Sequence, residues 1–373
     1  MPAPIMSWLS RVGCRWRLGF CALLLAGCER APERTTPTAS TEAPAAPAPF
    51  SAEKVDFQGS AMGTAVHFIA YSTPQSSPPV VRAAMSRALD EIRRLEALMT
   101  TWKDDSELSE VNRRAGEAVT VSTETLDVID KSLWAAKLSE GTFDISFEPL
   151  SEVWKFGDAS DPTPSVPSRA EVERLRKRVD YRRIEVDRSA RTLRIGPGQR
   201  IGLGGIAKGY AVDAAAKVLR DARVTSFLVQ AGGDLYGAGR KPDGSPWVSG
   251  VRDPRGGPEA FFATIELEDR AFSTAGDYAR AFLKDGQRYH HILDPRTGFP
   301  ARACRSVTIW AKDALTADAI DDGVFILGPE KGLALVESLD GVGAVIVDAS
   351  NRVHVSKRLA GRVQILRQPT DGP

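Results

Sequence analysis

Strand-like segments in the last third of the chain follow one another without a helix between them until residue 313. Runs rich in Val, Ile, Phe and Thr occupy 260–267 and 304–311, and another occupies 343–348. Neighbouring parallel strands need a crossover of a dozen or more residues, usually a helix, whereas antiparallel strands need only a turn. This order predicts an α+β fold of mixed, mostly antiparallel sheets with flanking helices, rather than a regular βαβ repeat.

Helices are expected where apolar residues recur at three- and four-residue spacing. This periodicity is clearest over 80–99, and Ser168 followed by Glu171 is a capping box that opens a shorter helix. An Asp-, Ser- and Pro-rich loop at 156–168 predicts a boundary between two lobes. The other predicted helices are 124–139, 205–220, 313–327 and 330–339, and the other predicted strands are 64–71 and 225–230.

The balance of charges excludes one class of partner. The sequence has 49 Lys and Arg against 48 Asp and Glu, for a formal charge of +1. A strongly basic nucleic-acid binder needs surplus cations to displace counterions from phosphates. We therefore expect no nucleic-acid partner. Hydrophobic residues at 42% and charged residues at 26% are ordinary for a globular protein.

The first residues are typical of a bacterial export signal. Residues 1–17 carry three arginines and no acidic residue, and an apolar run of nine residues follows at 18–26. A membrane-spanning helix needs about 20 residues, so this run suits the h-region of a secretory signal peptide. Its end, Leu25-Ala26-Gly27-Cys28, resembles the lipobox of bacterial lipoproteins, which implies cleavage before Cys28 and a lipid on its thiol. A plain signal peptide with an incidental cysteine is the alternative.

Three regions follow from this pattern: a lipoprotein signal peptide at 1–27, an Ala-, Pro- and Thr-rich tether at 28–50, and a globular domain at 51–369. The tether has no large apolar residue before its last position and cannot build a core. The expected location is the periplasm-facing side of the cell envelope, with a lipid anchor in a membrane at Cys28. Cys304 has no other cysteine in the domain, and a lone thiol is more often a small buried hydrophobe than a nucleophile.

The predicted helix 313–327 carries two acids where a buried helix should be apolar. Asp318 and Asp322, four residues apart, share one face. Apolar residues lie beside both acids and cover the opposite side, so the helix should be buried nearly all round. Buried carboxylates must be paired, protonated or bound to metal. Two oxygen ligands without a nearby His or Cys suit Mg²⁺ before Zn²⁺, and a salt bridge to Lys or Arg is the alternative.

The glycine-rich segment 202–209 formally matches the dinucleotide fingerprint G-x-G-x-x-G/A. That fingerprint needs a buried parallel strand directly before it, and Pro197 with two nearby glycines is poor material for such a strand. Bare backbone N–H groups at a helix start, with Lys208 in the first turn, still favour an anionic ligand. A tight strand-to-helix turn without a ligand is the alternative.

Two of the four histidines, His290 and His291, are adjacent. In a strand they would point to opposite faces, so at most one enters a given site. Asp294 opens the turn signal Asp-Pro-Arg-Thr-Gly that follows. A histidine beside a carboxylate and a phosphate site is a candidate general base, although most adjacent histidine pairs are structural or exposed.

Together and in order, these segments resemble the ApbE family, the FAD:protein FMN transferases. The resemblance covers about residues 55–365 and includes the lipoprotein leader. No one motif decides it, but eight in family order leave little room for chance. The similar stretches are 59–64, 99–108, 141–146, 203–211, 232–234, 273–276, 291–298 and 317–322.

The resemblance implies a specific chemistry. Family members cleave FAD at its diphosphate and transfer FMN to a threonine hydroxyl of a target flavoprotein, releasing AMP, with Mg²⁺ in support. The implied partners are FAD and a respiratory or periplasmic redox protein that bears the target threonine. The implied fold has two lobes around a flavin cleft.

Carried over residue by residue, the resemblance also implies a site. The Mg²⁺ ligands would be the backbone carbonyl of Gly205 and the side chains of Asp318 and Asp322. His291 would lie near the reacting phosphate, as a catalytic residue with Asp318. The residues implied to line the FAD site are Met62, Thr101, Trp102, Lys103, Asp144 and Lys208.

Two positions depart from the family pattern. The family usually has Thr where this chain has Asp322, and commonly has Asp where this chain has Gly202. The departures keep open a hydrolase that splits FAD to FMN and AMP without an acceptor. A non-enzymatic periplasmic FAD-binding lipoprotein is a further alternative, and a nicotinamide dehydrogenase is the least favoured because the fingerprint lacks its strand.

Overall fold

A computed structural model of the chain describes residues 50–156 and 163–372. The predicted signal peptide, Cys28 and the tether up to residue 49 lie outside the described residues. In the described part, no helix is long and apolar enough to cross a membrane.

The elements found agree with the predicted order. Ser168 and Glu171 form the predicted capping box, each side chain bonded to the other's backbone N–H. The α-helices are α1 (Pro78–Met99), α2 (Glu107–Arg113), α3 (Thr123–Leu138), α4 (Arg169–Arg176), α5 (Ala207–Asp221), α6 (Ala314–Leu327) and α7 (Pro329–Ser338). Short 3₁₀ helices span Ile145–Glu152, Tyr181–Arg183 and Lys357–Leu359.

The strands of the first two thirds of the chain are β1 (Lys54–Ala61), β2 (Thr64–Tyr71), β3 (Val119–Thr120), β4 (Glu185–Asp187), β5 (Thr192–Arg194), β6 (Phe227–Ala231), β7 (Asp234–Ala238) and β8 (Trp247–Arg252). The later strands are β9 (Phe261–Leu267), β10 (Arg270–Gly276), β11 (Ala281–Lys284), β12 (Gln287–His290), β13 (Leu293–Asp294), β14 (Phe299–Pro300), β15 (Cys304–Ala311), β16 (Gly343–Asp348), β17 (Val353–Val355) and β18 (Val363–Ile365).

The largest sheet has eight strands in the order β1-β2-β6-β7-β10-β15-β16-β17. Every neighbouring pair in it is antiparallel. Smaller antiparallel sheets join β18-β9-β8 and β3-β5-β4, and β11-β12 and β13-β14 are hairpins. The predicted α+β class with mostly antiparallel sheets is confirmed.

The eight-stranded sheet is covered on both faces. Helices α1, α5 and α6 pack on one face and on one another, and their apolar residues form the main core with the strands. The sheet β18-β9-β8 covers the other face, where Phe262 and Trp247 meet Phe272 and Trp310. Since side chains alternate along a strand, polar residues next to these aromatic positions point towards the helices.

Residues 50–372 form one compact unit, so the predicted lobe boundary at 156–168 is not a domain boundary. Trp154, before that loop, packs in the same cluster as Val172 and Leu175 after it. The Trp154 indole N–H also donates to the carbonyl of Gly298, 2.8 Å away. A loop rich in proline marks an irregular connection, and it cannot show whether the flanking elements share a core.

Candidate active site

The candidate site lies at one end of the large sheet, where two tight hairpins turn. Met62 and Gly63 connect β1 to β2 with positive φ angles of 51° and 69°, and Gly232 and Gly233 connect β6 to β7. Strand β2 pairs with β6, which puts both turns at the same end. A Cβ on Gly232 would lie 3.0 Å from Oγ1 of Thr64, so the turns are closely packed. Met62 therefore lies at this end of the sheet, and its contact with FAD stays a prediction.

The glycine-rich loop leads directly into α5. The helix begins at Ala207 without a side-chain N-cap, so its first N–H groups need partners from elsewhere. The N–H of Gly209 donates to Oδ2 of Asp318 over 2.8 Å. The positive end of α5 thus meets an acid of α6, an arrangement that favours the ionised carboxylate.

Lys208 lies in the same first turn and is held between two acids. Its Nζ is 2.8 Å from Oδ2 of Asp234 and 3.5 Å from Oδ1 of Asp318. Both acids are almost fully buried, and the lysine side chain is 27% exposed. The neighbouring carboxylates, including that of Asp321, outweigh desolvation and raise the pKa of Lys208. The lysine is charged at any physiological pH.

Asp321 and Asp322 lie close to Asp234 and Asp318. We call these four residues the acid cluster. Ser273 Oγ lies 2.5 Å from Oδ1 of Asp234 and 2.6 Å from Oδ2 of Asp321. A hydroxyl has one proton to donate, so one of these two carboxyl groups must itself donate to Ser273 and hold a proton. Burial, followed by the charges of Asp322 and Asp318, raises the pKa of Asp321 well above its usual range.

The two acids predicted as metal ligands lie in the acid cluster, on α6. Burial and the nearby Asp234 raise the pKa of Asp318 to about 7. Burial also raises the pKa of Asp322 to about 6, although Lys208 opposes this. A Cβ on Gly205 would lie 3.0 Å from Oδ2 of Asp322, so the loop and the acid are adjacent. The predicted set of Gly205, Asp318 and Asp322 is brought together.

The donor atoms suit a hard cation. Carboxylate and carbonyl oxygens are the ligands that Mg²⁺ prefers, and a cation would favour the ionised forms of Asp318 and Asp322, whose pKa values are raised by burial and by neighbouring acids. Within 50–156 and 163–372, no three or more His, Cys, Asp or Glu side chains are arranged to hold a metal. The Gly205 carbonyl as a metal ligand stays a prediction.

The two adjacent histidines have different surroundings, and only His290 belongs to a strand. His290 ends β12, is buried, and its Nε2 is 2.7 Å from the carbonyl oxygen of Ala301. His291 is held through its backbone N–H, which donates to the Arg280 carbonyl over 3.1 Å. Its Nδ1 is buried without a hydrogen-bond partner in the described part of the chain. Burial, then the charges of His290, Arg280 and Lys208, lowers the pKa of His291 to about 3, so the ring is neutral.

Asp144 has a structural function in addition to any contact with a ligand. Its Oδ1 accepts from the backbone N–H and the hydroxyl of Ser146, at 2.8 and 2.6 Å. Its Oδ2 accepts from the N–H of Tyr181 at 2.9 Å. Asp144 therefore caps the 3₁₀ helix Ile145–Glu152 and fixes the loop at Tyr181. Burial raises its pKa in spite of these bonds.

Thr101, Trp102 and Lys103 form the turn that follows α1. Trp102 is 74% exposed, which is unusual for a large aromatic side chain. Its backbone N–H bonds to Oγ1 of Thr100 at 3.1 Å. Among the described residues, no hydrogen bond or ion pair joins this turn to Lys208 or to the acid cluster. A role of Thr101, Trp102 and Lys103 in FAD binding stays a prediction.

The position of Gly202 explains how the chain tolerates losing an acid there. A Cβ on Gly202 would lie 2.4 Å from Oε2 of Glu148. Burial raises the pKa of Glu148. A second carboxylate at 202 would have to displace Glu148, so the neighbouring acid occupies the space that an aspartate would need. Glu148 is 54 residues away in the sequence, so the sequence alone did not reveal that it is a neighbour of Gly202.

The segment before the glycine-rich loop excludes the dinucleotide fold. The preceding strand β5 has three residues and pairs antiparallel with β3 and β4 in a small separate sheet. A dinucleotide fingerprint requires a parallel central strand at that place. Lys208 and the acid cluster instead gather at the end of an antiparallel sheet.

Sequence reasoning gave no role to Asp321, Asp234 or Ser273. Asp321 is nearly as buried as Asp318, and its place between Ile320 and Asp322 on a helix predicted to be buried nearly all round was the available signal. Asp234 and Ser273 lie on neighbouring strands β7 and β10, whose pairing is not visible in the sequence. Cys304 is buried and unpaired, as predicted.

Comparison with known proteins agrees with this geometry. The ApbE family profile matches residues 62–346. A FAD:protein FMN transferase of Vibrio cholerae is 31% identical over 85% of this chain and 88% of that protein. One of Treponema pallidum is 30% identical over 77% and 83%.

Solved structures give the same result. The crystal structure of the ApbE protein from Thermotoga maritima superposes with a TM-score of 0.75 at 34% identity, covering 83% of this chain and 99% of that one. The flavin transferase ApbE from Vibrio cholerae has a TM-score of 0.72 at 29% identity, covering 84% and 100%. Since the family profile matches well over half of the sequence and the solved structures cover 83% and 84% of it, the chain belongs to the ApbE family.

Proposed function

We propose that this chain transfers FMN from FAD to a threonine hydroxyl of a target flavoprotein and releases AMP. The observation that carries the proposal is Lys208, held between Asp234 and Asp318 where the glycine-rich loop enters α5. A charged lysine at the positive end of a helix attracts a diphosphate, and acids beside it attract a cation that can accompany the diphosphate. Relatives named FAD:protein FMN transferase support the same activity.

The residues that would hold Mg²⁺ are Gly205, through its carbonyl, with Asp318 and Asp322. When bound there, the ion would neutralise the diphosphate charge and favour departure of AMP. Gly209 orients Asp318 by donating to its Oδ2. Lys208 offsets the surplus of carboxylates, so that the acid cluster can stay compact while it holds a cation and an anion together.

The transfer replaces the phosphoanhydride bond of the FAD diphosphate by a phosphoester bond to threonine. The threonine oxygen attacks the FMN phosphorus in line, the bond to the bridging oxygen breaks, and AMP leaves with that electron pair. The threonine proton goes to a base. His291 is neutral and its buried Nδ1 has no hydrogen-bond partner among the described residues, so in the tautomer with the proton on Nε2 this nitrogen can take the proton when the oxygen becomes acidic in the transition state.

The FAD would lie across the end of the sheet where Met62 and the glycine turns meet. The exposed Trp102, with Thr101 and Lys103, would provide an aromatic face and a cation for the remaining parts of the dinucleotide. Asp144 would act by fixing the loops that line this space rather than as a free acceptor, because protein N–H and O–H groups engage both its oxygens.

The location follows from the leader sequence. We propose that the signal peptide 1–27 is removed and that Cys28 carries lipid, so that the domain faces the periplasm on a tether. Its acceptor would then be a respiratory or periplasmic redox protein in the same compartment. The apolar run at 18–26, and the cysteine directly after the lipobox-like sequence, support this proposal.

Asp322 gives a reason to test for a second activity, hydrolysis of FAD to FMN and AMP. A carboxylate where the family usually has Thr adds charge beside Asp318, which can change how water and the acceptor compete. AMP release is measured with FAD and Mg²⁺, with and without acceptor protein. Release that depends on the acceptor supports the transferase, equal release in both supports the hydrolase, and intact FAD leaves only a flavin-binding protein.

A further inference from the structure

A half-buried acid, Glu148, lies against the start of the glycine-rich loop. It belongs to the 3₁₀ helix Ile145–Glu152, and a Cβ added to Gly202 would lie 2.4 Å from its Oε2. The Gly202 N–H donates to the Ile145 carbonyl over 2.9 Å, which fixes the 3₁₀ helix to the loop. The carboxylate of Glu148 is therefore held at the start of the loop, which six residues later reaches Lys208.

The surroundings of Glu148 overlap with those of His291. The charge of Arg280 acts on Glu148 and also on His291. The Arg280 carbonyl accepts from the His291 N–H at 3.1 Å. Glu148 is thus a neighbour of two segments, the loop that leads to Lys208 and the segment that carries His291, and these segments enclose the space proposed for FAD.

Glu148 is partly removed from water and has only a neutral partner among the described residues. Its Oε1 accepts from the Ser151 hydroxyl at 3.2 Å, whereas the nearby Arg200 pairs with Glu152 at 3.6 Å. Burial raises the pKa of Glu148, although the charges of Arg200 and Arg280 oppose this rise. A desolvated carboxylate lowers stability unless other groups donate to it, and such groups concentrate at ligand sites. The arrangement favours a ligand that brings a donor to Oε2.

Position 202 gives a second, independent observation. The family commonly has Asp where this chain has Gly202. The carboxylate oxygens of an aspartate are two covalent bonds from its Cβ, and that separation is close to the 2.4 Å between a Cβ at 202 and Oε2 of Glu148. A carboxylate oxygen thus remains at the start of the loop although it comes from a different segment, which favours a function for the carboxylate itself.

We propose that Glu148 binds FAD, and that its carboxylate accepts a hydrogen bond from an O–H or N–H group of the dinucleotide away from the diphosphate. Like charges repel, so a carboxylate does not bind the diphosphate itself, whereas ribose hydroxyls, the adenine amino group and the flavin ring N–H are donors. Lys208, farther along the same loop, is left to attract the diphosphate. This inference rests on the proposed transferase function and adds to it the residue that orients FAD at the start of the loop.

The test moves the carboxylate between the two positions in the full-length protein. The variants are Glu148→Ala, Gly202→Asp and the double variant that combines them. Glu152→Ala is the matched control, because Glu152 is an exposed acid on the same 3₁₀ helix. Calorimetry with Mg²⁺ and without acceptor measures binding of FAD, FMN and AMP. Transfer assays give kcat and the KM for FAD, and thermal unfolding reports whether each variant is folded.

Glu148→Ala should weaken FAD binding about tenfold, a typical loss for one hydrogen bond to a charged group, and should raise the KM for FAD with little change in kcat. Gly202→Asp should weaken binding and lower the melting temperature, because its Cβ collides with Glu148. The double variant should bind FAD within about threefold of the unaltered protein, and Glu152→Ala should bind it equally well. Whichever of FMN and AMP shares the loss contains the group that Glu148 contacts.

Two results overturn the proposal. One is unchanged FAD binding in a folded Glu148→Ala protein, and the other is a folded double variant that binds FAD no better than Glu148→Ala. If Glu148→Ala fails to fold, Glu148→Gln, which keeps the size of the side chain, takes its place. FAD binding that depends on Glu148 without labelling of any acceptor refutes the transferase and keeps the binding residue. Labelling with the KM for FAD unaltered in Glu148→Ala refutes the binding residue and keeps the transferase.

Discussion

At the scale of single residues, the active site depends on one cation among four acids, three of which are buried. Lys208 and Asp318 could be predicted from the sequence because each lies in a local pattern, a helix start and a helix face. The bond between Ser273 and Asp234 could not be predicted, because it depends on the register of β7 against β10. Local spacing identifies the groups on one element, and pairing between strands decides which groups meet.

Removing the charge of Lys208 should lower both the stability of the fold and the rate of FMN transfer. Lys208→Gln leaves Asp234 and Asp318 buried without their positive partner, and breaking such a pair costs about 3 kcal/mol. The loss should be smaller at low pH because the carboxyls can take up protons. FMN transfer should fall at least about a hundredfold, which corresponds to about 2.7 kcal/mol of transition-state stabilisation. Lys217→Gln, on the exposed side of α5, is the matched control.

Thermal unfolding and transfer assays at about pH 8 check this prediction. A Lys208→Gln protein with unchanged melting temperature and activity would show that the lysine does not balance the acid cluster. Equal losses in Lys217→Gln would show a general effect of losing charge from α5.

The raised pKa of Asp318 makes metal-free stability depend on pH. Below its folded pKa of about 7 the folded state holds a proton that the unfolded state has lost. Stability therefore falls as pH rises from about 5.5 to about 7, by on the order of 2 kcal/mol. Mg²⁺ added at about pH 7.5 should restore stability, because the deprotonated acids bind it.

Melting temperatures with EDTA and with Mg²⁺, each at about pH 5.5 and at about pH 7.5, measure this effect. Asp318→Asn should flatten the pH dependence and remove most of the response to Mg²⁺. A metal-free protein equally stable at both pH values, or an unaltered Mg²⁺ response in Asp318→Asn, would contradict the account.

At the scale of elements, the contact between α5 and α6 sets the geometry of the site. Asp213 on α5 accepts from the N–H groups of Ala314 and Leu315 at 2.9 and 2.8 Å, and so caps the start of α6. A Cβ on Gly209 would lie 2.3 Å from the carbonyl oxygen of Ala314 and 2.7 Å from Cβ of Asp318. Only glycine lets the helices approach this closely, which the fingerprint-like spacing of the sequence could not show.

Gly209→Ala should separate the two helices. Overpacking of this kind costs about 1–3 kcal/mol, and the shift would move Asp318 away from Lys208, so transfer should fall by more than stability alone explains. Gly204→Ala in the same loop is the control, because nothing lies within 4 Å of its added Cβ.

Melting temperature and the Mg²⁺ concentration for half-maximal transfer are the measurements for both variants. The account predicts a lower melting temperature and a higher Mg²⁺ requirement in Gly209→Ala alone. Indistinguishable variants would show that the approach of α5 to α6 does not determine the metal site.

At the scale of the whole molecule, the sequence predicted the class of fold better than the division of the chain into lobes. The predicted strands 304–311 and 343–348 are β15 and β16, which are neighbours in one antiparallel sheet, whereas 260–267 is β9 of the smaller antiparallel sheet and β10 was not predicted. The loop at 156–168 suggested two lobes, yet Trp154 and Val172 share one cluster. The amino-acid composition of a segment indicates where the chain lacks regular secondary structure, whereas a domain boundary depends on contacts between residues distant in the sequence.

The central claim is that this protein moves FMN from FAD onto a threonine. The most direct measurement incubates the protein from residue 51 onward with FAD, Mg²⁺ and an acceptor protein bearing a target threonine, and analyses the acceptor by mass spectrometry. The account predicts an addition of the mass of FMN on threonine, with AMP in solution, both lost with EDTA and in Asp318→Ala. Intact FAD with an unlabelled acceptor, or AMP released without labelling, would contradict it.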